Sequence, residues 1–233
     1  MGRNKEYVLL VILGVIFLAA GGYLFGIWEE YHEAETGYQG LKKYIIEKPD
    51  MRKDPEEKPE NQEEPEESLP EIDFDGLRAI NGDVVAWIQI PGIGVDYPVV
   101  QGKDNEHYLH YTFDGKANKA GSIFLDCWNR ADFTDSKVIL YGHNMKDGSM
   151  FSNLKKYQDV AFRKEQGRVL IYLPDKVLEC EIVECRQVSV KDSVYEVLQD
   201  DERTLLEEII LSTCSSSSNM RLILKCVVKT KGY

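Results

Sequence analysis

The 233-residue sequence has no excess of positive charge, no Cys-x-x-Cys, no Cys/His cluster with zinc-ligand spacing and no internal repeat. Each absence excludes a class of protein. The net charge is −12, so there is no basic field of the kind that binds nucleic acid, and no nucleic-acid partner is expected. The five cysteines (Cys127, Cys180, Cys185, Cys214 and Cys226) leave at least one thiol unpaired, which argues against a pure disulfide framework. Cys180 and Cys185 are the nearest pair, and five residues apart on one strand they are expected on opposite faces. Acidic side chains gather in one segment instead of around a predicted groove, so neither a metal nor another cofactor is expected. That segment, residues 49–73, carries −8 of the net charge, against −3 for residues 74–233.

The most conspicuous feature present is an uncharged run from Tyr7 to Trp28, rich in Val, Leu, Ile, Phe, Ala and Gly. As a helix it would rise about 33 Å, enough to cross a hydrocarbon core of about 30 Å. Arg3 and Lys5 precede it, and Glu29, Glu30, Glu33 and Glu35 follow. The positive-inside bias then puts the N-terminus in the cytoplasm and the remainder outside, as a single-pass membrane protein. A cleaved signal peptide is the competing reading, with Ala19-Ala20-Gly21 as small residues near a cut. Against it, Tyr23-Leu24-Phe25-Gly26-Ile27-Trp28 extends the run past the about 7–15 residues of a signal core.

Residues 29–48 read as a continuing helix, with Tyr31, Tyr38, Leu41 and Ile45 at loosely helical spacing. Pro49, Pro55, Pro59, Pro65 and Pro70 then punctuate a glutamate-rich stretch that cannot bury a core. It reads as a solvated spacer holding the folded part off the membrane. The organisation expected is a cytoplasmic tip and anchor over 1–28, a helical stem and acidic spacer over 29–73, and one folded domain over 74–233.

From Phe74 onward the pattern changes to short β-type runs. Val84–Pro91 and Val95–Gln101 flank Gly92-Ile93-Gly94, which predicts two strands joined by a tight turn. Ser122–Asp126, Lys137–Tyr141, Arg168–Leu173, Val177–Val190, Glu208–Thr213 and Arg221–Lys229 complete a set of eight. Helical patches are expected near Asn105–Tyr111, Met150–Tyr157 and Val194–Leu206. This is a mainly β protein, a closed barrel or a sandwich.

The chemistry centres on Cys214. The strand before it, the serine-rich loop after it and the strand beginning at Arg221 form an antiparallel hairpin pattern. A six-residue loop then sets Cys214 opposite Arg221, about 4.5–5.5 Å apart. A guanidinium beside a thiol favours the thiolate and can hydrogen-bond an oxyanion. Among four histidines, His32 reads as a surface residue and His107 and His110 as exposed on a polar helical patch. His143 differs, because it ends the apolar strand Val138-Ile139-Leu140-Tyr141 and opens a polar turn. A cysteine with a separated histidine is a nucleophile and acid/base pair in outline. An inert buried thiol is the bland alternative. Cys180 and Cys226 alternate with apolar neighbours and read as core thiols, and Trp87 and Trp128 as packing residues.

Tyr141-Gly142-His143-Asn144-Met145-Lys146-Asp147-Gly148-Ser149-Met150-Phe151 resembles the histidine motif of class B sortases. Leu211-Ser212-Thr213-Cys214 resembles the cysteine motif of that family, and Arg221-Leu222-Ile223-Leu224 its arginine strand. Gln101 to Leu109 and Ala120 to Asp126 are also similar to that class, so the resemblance covers about residues 74–230. It implies an eight-stranded β-barrel and a transpeptidase: Cys214 attacks the threonine carbonyl of a C-terminal sorting signal on a secreted protein. Arg221 stabilises carbonyl or oxyanion charge and His143 protonates the leaving amine. An amine, typically from the cell-wall peptide, then resolves the thioester. Positions matching Asn105, Leu109 and Ser212 line the sorting-signal groove in that class, whose members favour Asn-Pro-x-Thr-type signals. Two departures stand out. The long helical insertion usual before the cysteine strand is reduced to Val190–Glu208, and the Cys214–Arg221 loop is short and serine-rich. A pilin-polymerising enzyme, a simple cysteine hydrolase and a non-catalytic wall-binding module on the same barrel are the rival readings.

Overall fold

A computed structural model describes residues 3–47, 69–197, 205–214 and 219–229. The expected spacer lies mostly in 48–68, outside the described residues, as do the middle of the Val194–Leu206 patch and the serines at 215–218. The first element is one long helix, α1, Arg3–Leu41. From Ile12 onward it is long enough and apolar enough to cross a membrane, and its most apolar stretch buries nothing against the rest of the described residues.

The second part of α1 behaves differently. Ala34, Tyr38 and Leu41 are buried, at i, i+4 and i+7, the spacing that puts residues on one helical stripe. They join the main hydrophobic core, and full burial of a leucine such as Leu41 contributes about 1.5–3 kcal/mol. After a short 3₁₀ turn, β1 (Ile45–Ile46) pairs with β2 (Glu71–Ile72). The stem is therefore docked on the folded part, and both ends of the acidic stretch are held side by side.

α2 (Phe74–Arg78) follows, capped by Asp73, whose Oδ1 accepts a hydrogen bond from Gly76 N at 2.9 Å. The barrel strands are β3 (Val84–Ile90), β4 (Val95–Val100), β5 (Ile123–Leu125), β6 (Lys137–Tyr141), β7 (Arg168–Tyr172), β8 (Val177–Ser189), β9 (Glu208–Cys214) and β10 (Met220–Val228). They close in the order β10-β8-β7-β3-β4-β5-β6-β9, the eight-stranded barrel that the class B sortase resemblance implies. The turn between β3 and β4 is a 3₁₀ turn over Pro91–Ile93, closed by Gly94 at φ +71°. Two neighbouring pairs, β4 with β5 and β6 with β9, are parallel. α3 (His107–His110) and α4 (Val160–Gln166) are short connections.

Alternation along the strands sorts the side chains. Val138, Leu140, Leu211, Leu222 and Leu224 fill the barrel. Ile139, Val188, Ile210 and Ile223 form a second cluster with Tyr141, Val194, Tyr195 and Val197 packed against it. Both faces of β6 and β9 are thus covered, which explains their continuous apolar runs. Cys180 and Cys226 are fully buried, and desolvation pushes the Cys180 thiol up to about 12. Cys185 corrects the expectation of opposite faces. A bulge in β8, where Cys226 pairs with Ile182 and Lys225 with Glu184, inserts one extra residue and returns Cys185 to the core side beside Leu224.

Candidate active site

β6 and β9 run in parallel with Tyr141 registered on Ser212, and Gly142 N extends the ladder by donating to Ser212 O at 3.1 Å. Two residues beyond this pair come His143, just past the end of β6, and Cys214, the last residue of β9. On the other side of β9, β10 pairs in antiparallel with Arg221 as the Cα partner of Cys214. Three adjacent strands, spaced about 4.8 Å apart, therefore bring the positions of His143, Cys214 and Arg221 into one row at one barrel end. The hairpin read from the sequence forms, with Arg221 in the predicted register. The Cys214 side chain lies outside the described residues. Arg221 donates through Nη1 to Met220 O at 2.9 Å.

His143 is half-buried, and its Nε2 lies 2.7 Å from Leu109 O. A carbonyl only accepts, so the ring nitrogen facing it carries the proton. Gly142 lets the histidine strand pass close to its neighbours: a Cβ there would fall 2.5 Å from Ile123 Cδ1 and 2.7 Å from Phe151 Cδ2. Phe151 N donates to His143 O at 2.9 Å, and Asn144 bridges Met150, closing the loop behind the ring. Gly121, at φ +55°, fits under the ring where a Cβ would lie 3.1 Å from His143 Cδ2 and 2.9 Å from Leu109 O. Leu109, expected in the groove, reaches this centre through its main-chain oxygen.

Asn105 and Ser212 sit in one hydrogen-bonded wall. Asn105 Nδ2 donates to Asp126 Oδ2 at 2.9 Å, and its Oδ1 accepts from Cys127 N at 2.8 Å. The same Asp126 oxygen accepts from the Tyr141 hydroxyl at 2.8 Å. Asp126 is buried, and its main-chain neighbour Trp128 N donates to Oδ1 at 2.9 Å. Burial first, and the charge of Asp126 second, push the Tyr141 hydroxyl well above the usual phenol range, so it remains a donor. Tyr141 stacks on Tyr195 with centroids 6.3 Å apart, and the Tyr195 hydroxyl is 2.9 Å from Ser212 Oγ. Asp126, Tyr141 and Tyr195 thus join the expected groove residues without having been singled out. Tyr141 could have been found, since it alternates with Ile139 and His143; nothing local marks Tyr195.

His107 and His110 are exposed, and His107 stacks on Tyr111 at 4.5 Å. Trp87 is buried with its Nε1 donating to Asp96 Oδ1 at 2.8 Å, whereas Trp128 is 65% exposed. Among the described residues no three His, Cys, Asp or Glu side chains gather as a metal site. A cavity of about 560 Å³ opens between α1 and residues 112–118, and none of His143, Ser212 and Arg221 lines it.

A closed eight-stranded barrel with a histidine, a cysteine and an arginine brought to neighbouring strand ends defines a class of cysteine enzyme. Residues 88–229 match the Sortase domain family, and the chain belongs to the sortase family, whose members are cysteine transpeptidases. Its relatives are of class B. It is 49% identical to Sortase B of Listeria monocytogenes over 86 residues, which is 37% of this chain and 35% of that protein. The matched stretch thus spans about a third of that curated relative's length. The solved sortase B of Clostridium perfringens superposes with a TM-score of 0.60 at 28% identity, covering 67% of this chain and 100% of that one. A Streptococcus pyogenes class B sortase involved in pilus biogenesis gives a TM-score of 0.60 at 28% identity, over 67% and 98% of the two chains.

Proposed function

We propose that this chain is a membrane-anchored cysteine transpeptidase that joins proteins bearing a C-terminal sorting signal to an amine of the cell wall. The observation that carries the reading is the row of register positions: Arg221 opposite Cys214, and His143 and Cys214 each two residues beyond the Tyr141–Ser212 pair. In the proposed sequence the Cys214 thiolate attacks the threonine carbonyl carbon of the signal. Charge moves to the carbonyl oxygen, where the Arg221 guanidinium offers planar donors. The C–N bond then breaks, and the departing nitrogen takes a proton from the imidazolium of His143. Because Nε2 faces the Leu109 carbonyl, proton exchange falls to Nδ1. An acceptor amine attacks the thioester, His143 takes its proton, and the Cys214 sulfur leaves as thiolate. Asn105, Ser212 and the main chain at Leu109 would line the sorting-signal groove, together with Tyr141 and Tyr195.

Residues 1–28 would be the anchor, with the N-terminus inside and the catalytic domain, 74–233, outside. Helix α1 supports this through an apolar part long enough to span and a docked part that follows without a break. The S. pyogenes neighbour's part in pilus biogenesis favours a second reading, in which the acceptor is a lysine side chain of a pilin subunit. The two differ only in the amine. The test is incubation of the full chain with a panel of sorting peptides and two acceptors, a cell-wall-type peptide amine and a lysine-bearing peptide. Amide product above hydrolysis, absent from Cys214→Ala, is the expected result. Hydrolysis alone would make it a protease, and no turnover of any peptide would leave a binding module.

A further inference from the structure

We infer that Tyr38, on the docked end of the anchor helix, is a positioning residue for His143. The inference rests on the acid/base role proposed for that histidine. Tyr38 is buried, and its hydroxyl donates to Gly121 O at 2.6 Å. It also lies 3.2 Å from Ser122 Oγ and accepts from Phe113 N at 3.4 Å. Gly121 is the residue that packs under the His143 ring and against the Leu109 carbonyl that holds Nε2. Its left-handed backbone, at φ +55°, is thereby clamped from the far side by a side chain of α1.

The same tyrosine reaches the second support of His143. Its ring meets Tyr97 edge-on, with centroids 5.2 Å apart and planes at 88°. The Tyr97 hydroxyl accepts from Met150 N at 3.3 Å, and Met150 is the residue that bridges Asn144 to close the histidine loop. A cavity of about 250 Å³ lies between Tyr31, Glu35, Tyr38 and Gln39 of α1 and Asp147, Ser149 and Met150 of that loop, so Tyr38 reaches the loop through Tyr97. One side chain thus leans on both structures that hold the histidine, one under the ring and one behind its backbone.

The helix and the 3₁₀ turn that follows it are held in place for this by contacts remote from His143. Asn118 Nδ2 donates to Glu30 O at 2.9 Å, Lys119 pairs with Glu30 at 2.7 Å, and Lys42 with Asp96 at 3.4 Å. The docked end of the helix and the supports of His143 are therefore joined by direct contacts. The geometry makes the helix more than a tether: it forms part of the frame on which the histidine is set.

The test uses the full chain in nanodiscs, comparing wild type, Tyr38→Phe, Tyr38→Ala and Glu33→Gln. Each is assayed for acyl transfer well below its melting temperature, and the His143 imidazole is titrated by NMR. Tyr38→Phe keeps the ring and removes the hydroxyl's buried contacts with Gly121 O, Ser122 Oγ and Phe113 N, and is expected to lower kcat about tenfold with KM unchanged. It should also shift the His143 titration and the matching limb of the pH–rate profile. Tyr38→Ala should do more. Glu33, whose ion pair with Lys116 is exposed and touches neither support, should leave both readouts at wild-type values when changed to Gln. Wild-type kcat together with wild-type His143 titration in Tyr38→Phe overturns the inference. If wild type itself forms no acyl product, the proposed function fails instead, and the His143 titration still decides whether Tyr38 sets the histidine.

Discussion

Replacing Gly121 by alanine tests whether the floor under His143 is as tight as its geometry says. Gly121 sits at φ +55°, and a Cβ there would lie 2.5 Å from Tyr108 O, 2.9 Å from Leu109 O and 3.1 Å from His143 Cδ2. Two of those neighbours are main-chain oxygens, which cannot swing aside. Gly94 supplies the matched control: it is also left-handed, at φ +71°, but nothing lies within 4 Å of its Cβ position. Both substitutions incur the left-handed cost of an L-residue, about 1–2 kcal/mol. Both also lower the entropy of the unfolded chain, so that effect cancels between them. Only Gly121→Ala adds overpacking, about 1–3 kcal/mol. Urea unfolding should therefore find Gly121→Ala less stable than Gly94→Ala by about 1–3 kcal/mol. Pushing the Leu109 carbonyl from its 2.7 Å contact with Nε2 should also lower acyl transfer. A displacement approaching 1 Å corresponds to a loss of up to about a hundredfold, whereas Gly94→Ala should stay active. Equal stability and equal activity of the two variants would refute the reasoning.

Arg221→Lys keeps the charge but loses the planar fork, and acyl-enzyme formation measured by rapid quench should fall about 10²–10³-fold. Tyr141→Phe removes one donor to the buried Asp126 carboxylate and should cost about 1–3 kcal/mol in chemical unfolding. Thiol alkylation at pH 8, mapped by mass spectrometry, should label Cys214 first. Burial raises the thiols of Cys180, to about 12, and Cys185, to about 11. The folded state therefore favours their protonated form throughout neutral pH, and the thiolate fraction of Cys180 at pH 8 is about 10⁻⁴. Labelling of Cys180 before Cys214 in the folded chain would contradict the proposed nucleophile.

The barrel strands were legible because each carries its own alternation and its own turn residues, and the β9–β10 hairpin was legible because one short loop joins its strands. What closes the barrel was not legible. The parallel pairings of β4 with β5 and β6 with β9 join segments far apart in the chain, and no local signal encodes them. The two-residue strands β1 and β2 are too short to show a period, so their pairing was not legible. The bulge that turns Cys185 inward also defeats counting by twos. At the site, His143, Cys214 and Arg221 stood out because strand ends and loop length mark them. Asp126, Tyr195 and Tyr38 meet partners that only the folded chain brings near, up to 84 residues away for Tyr38 and Ser122.

The central claim is that Cys214 carries the acyl group. Intact-mass spectrometry of the full chain, incubated with sorting peptides without an acceptor amine, measures this directly. A mass increase equal to the peptide's N-terminal fragment, mapped to Cys214, lost on adding hydroxylamine and absent from Cys214→Ala, is the predicted result. No adduct with any peptide of the panel, or the same adduct in Cys214→Ala, would contradict it.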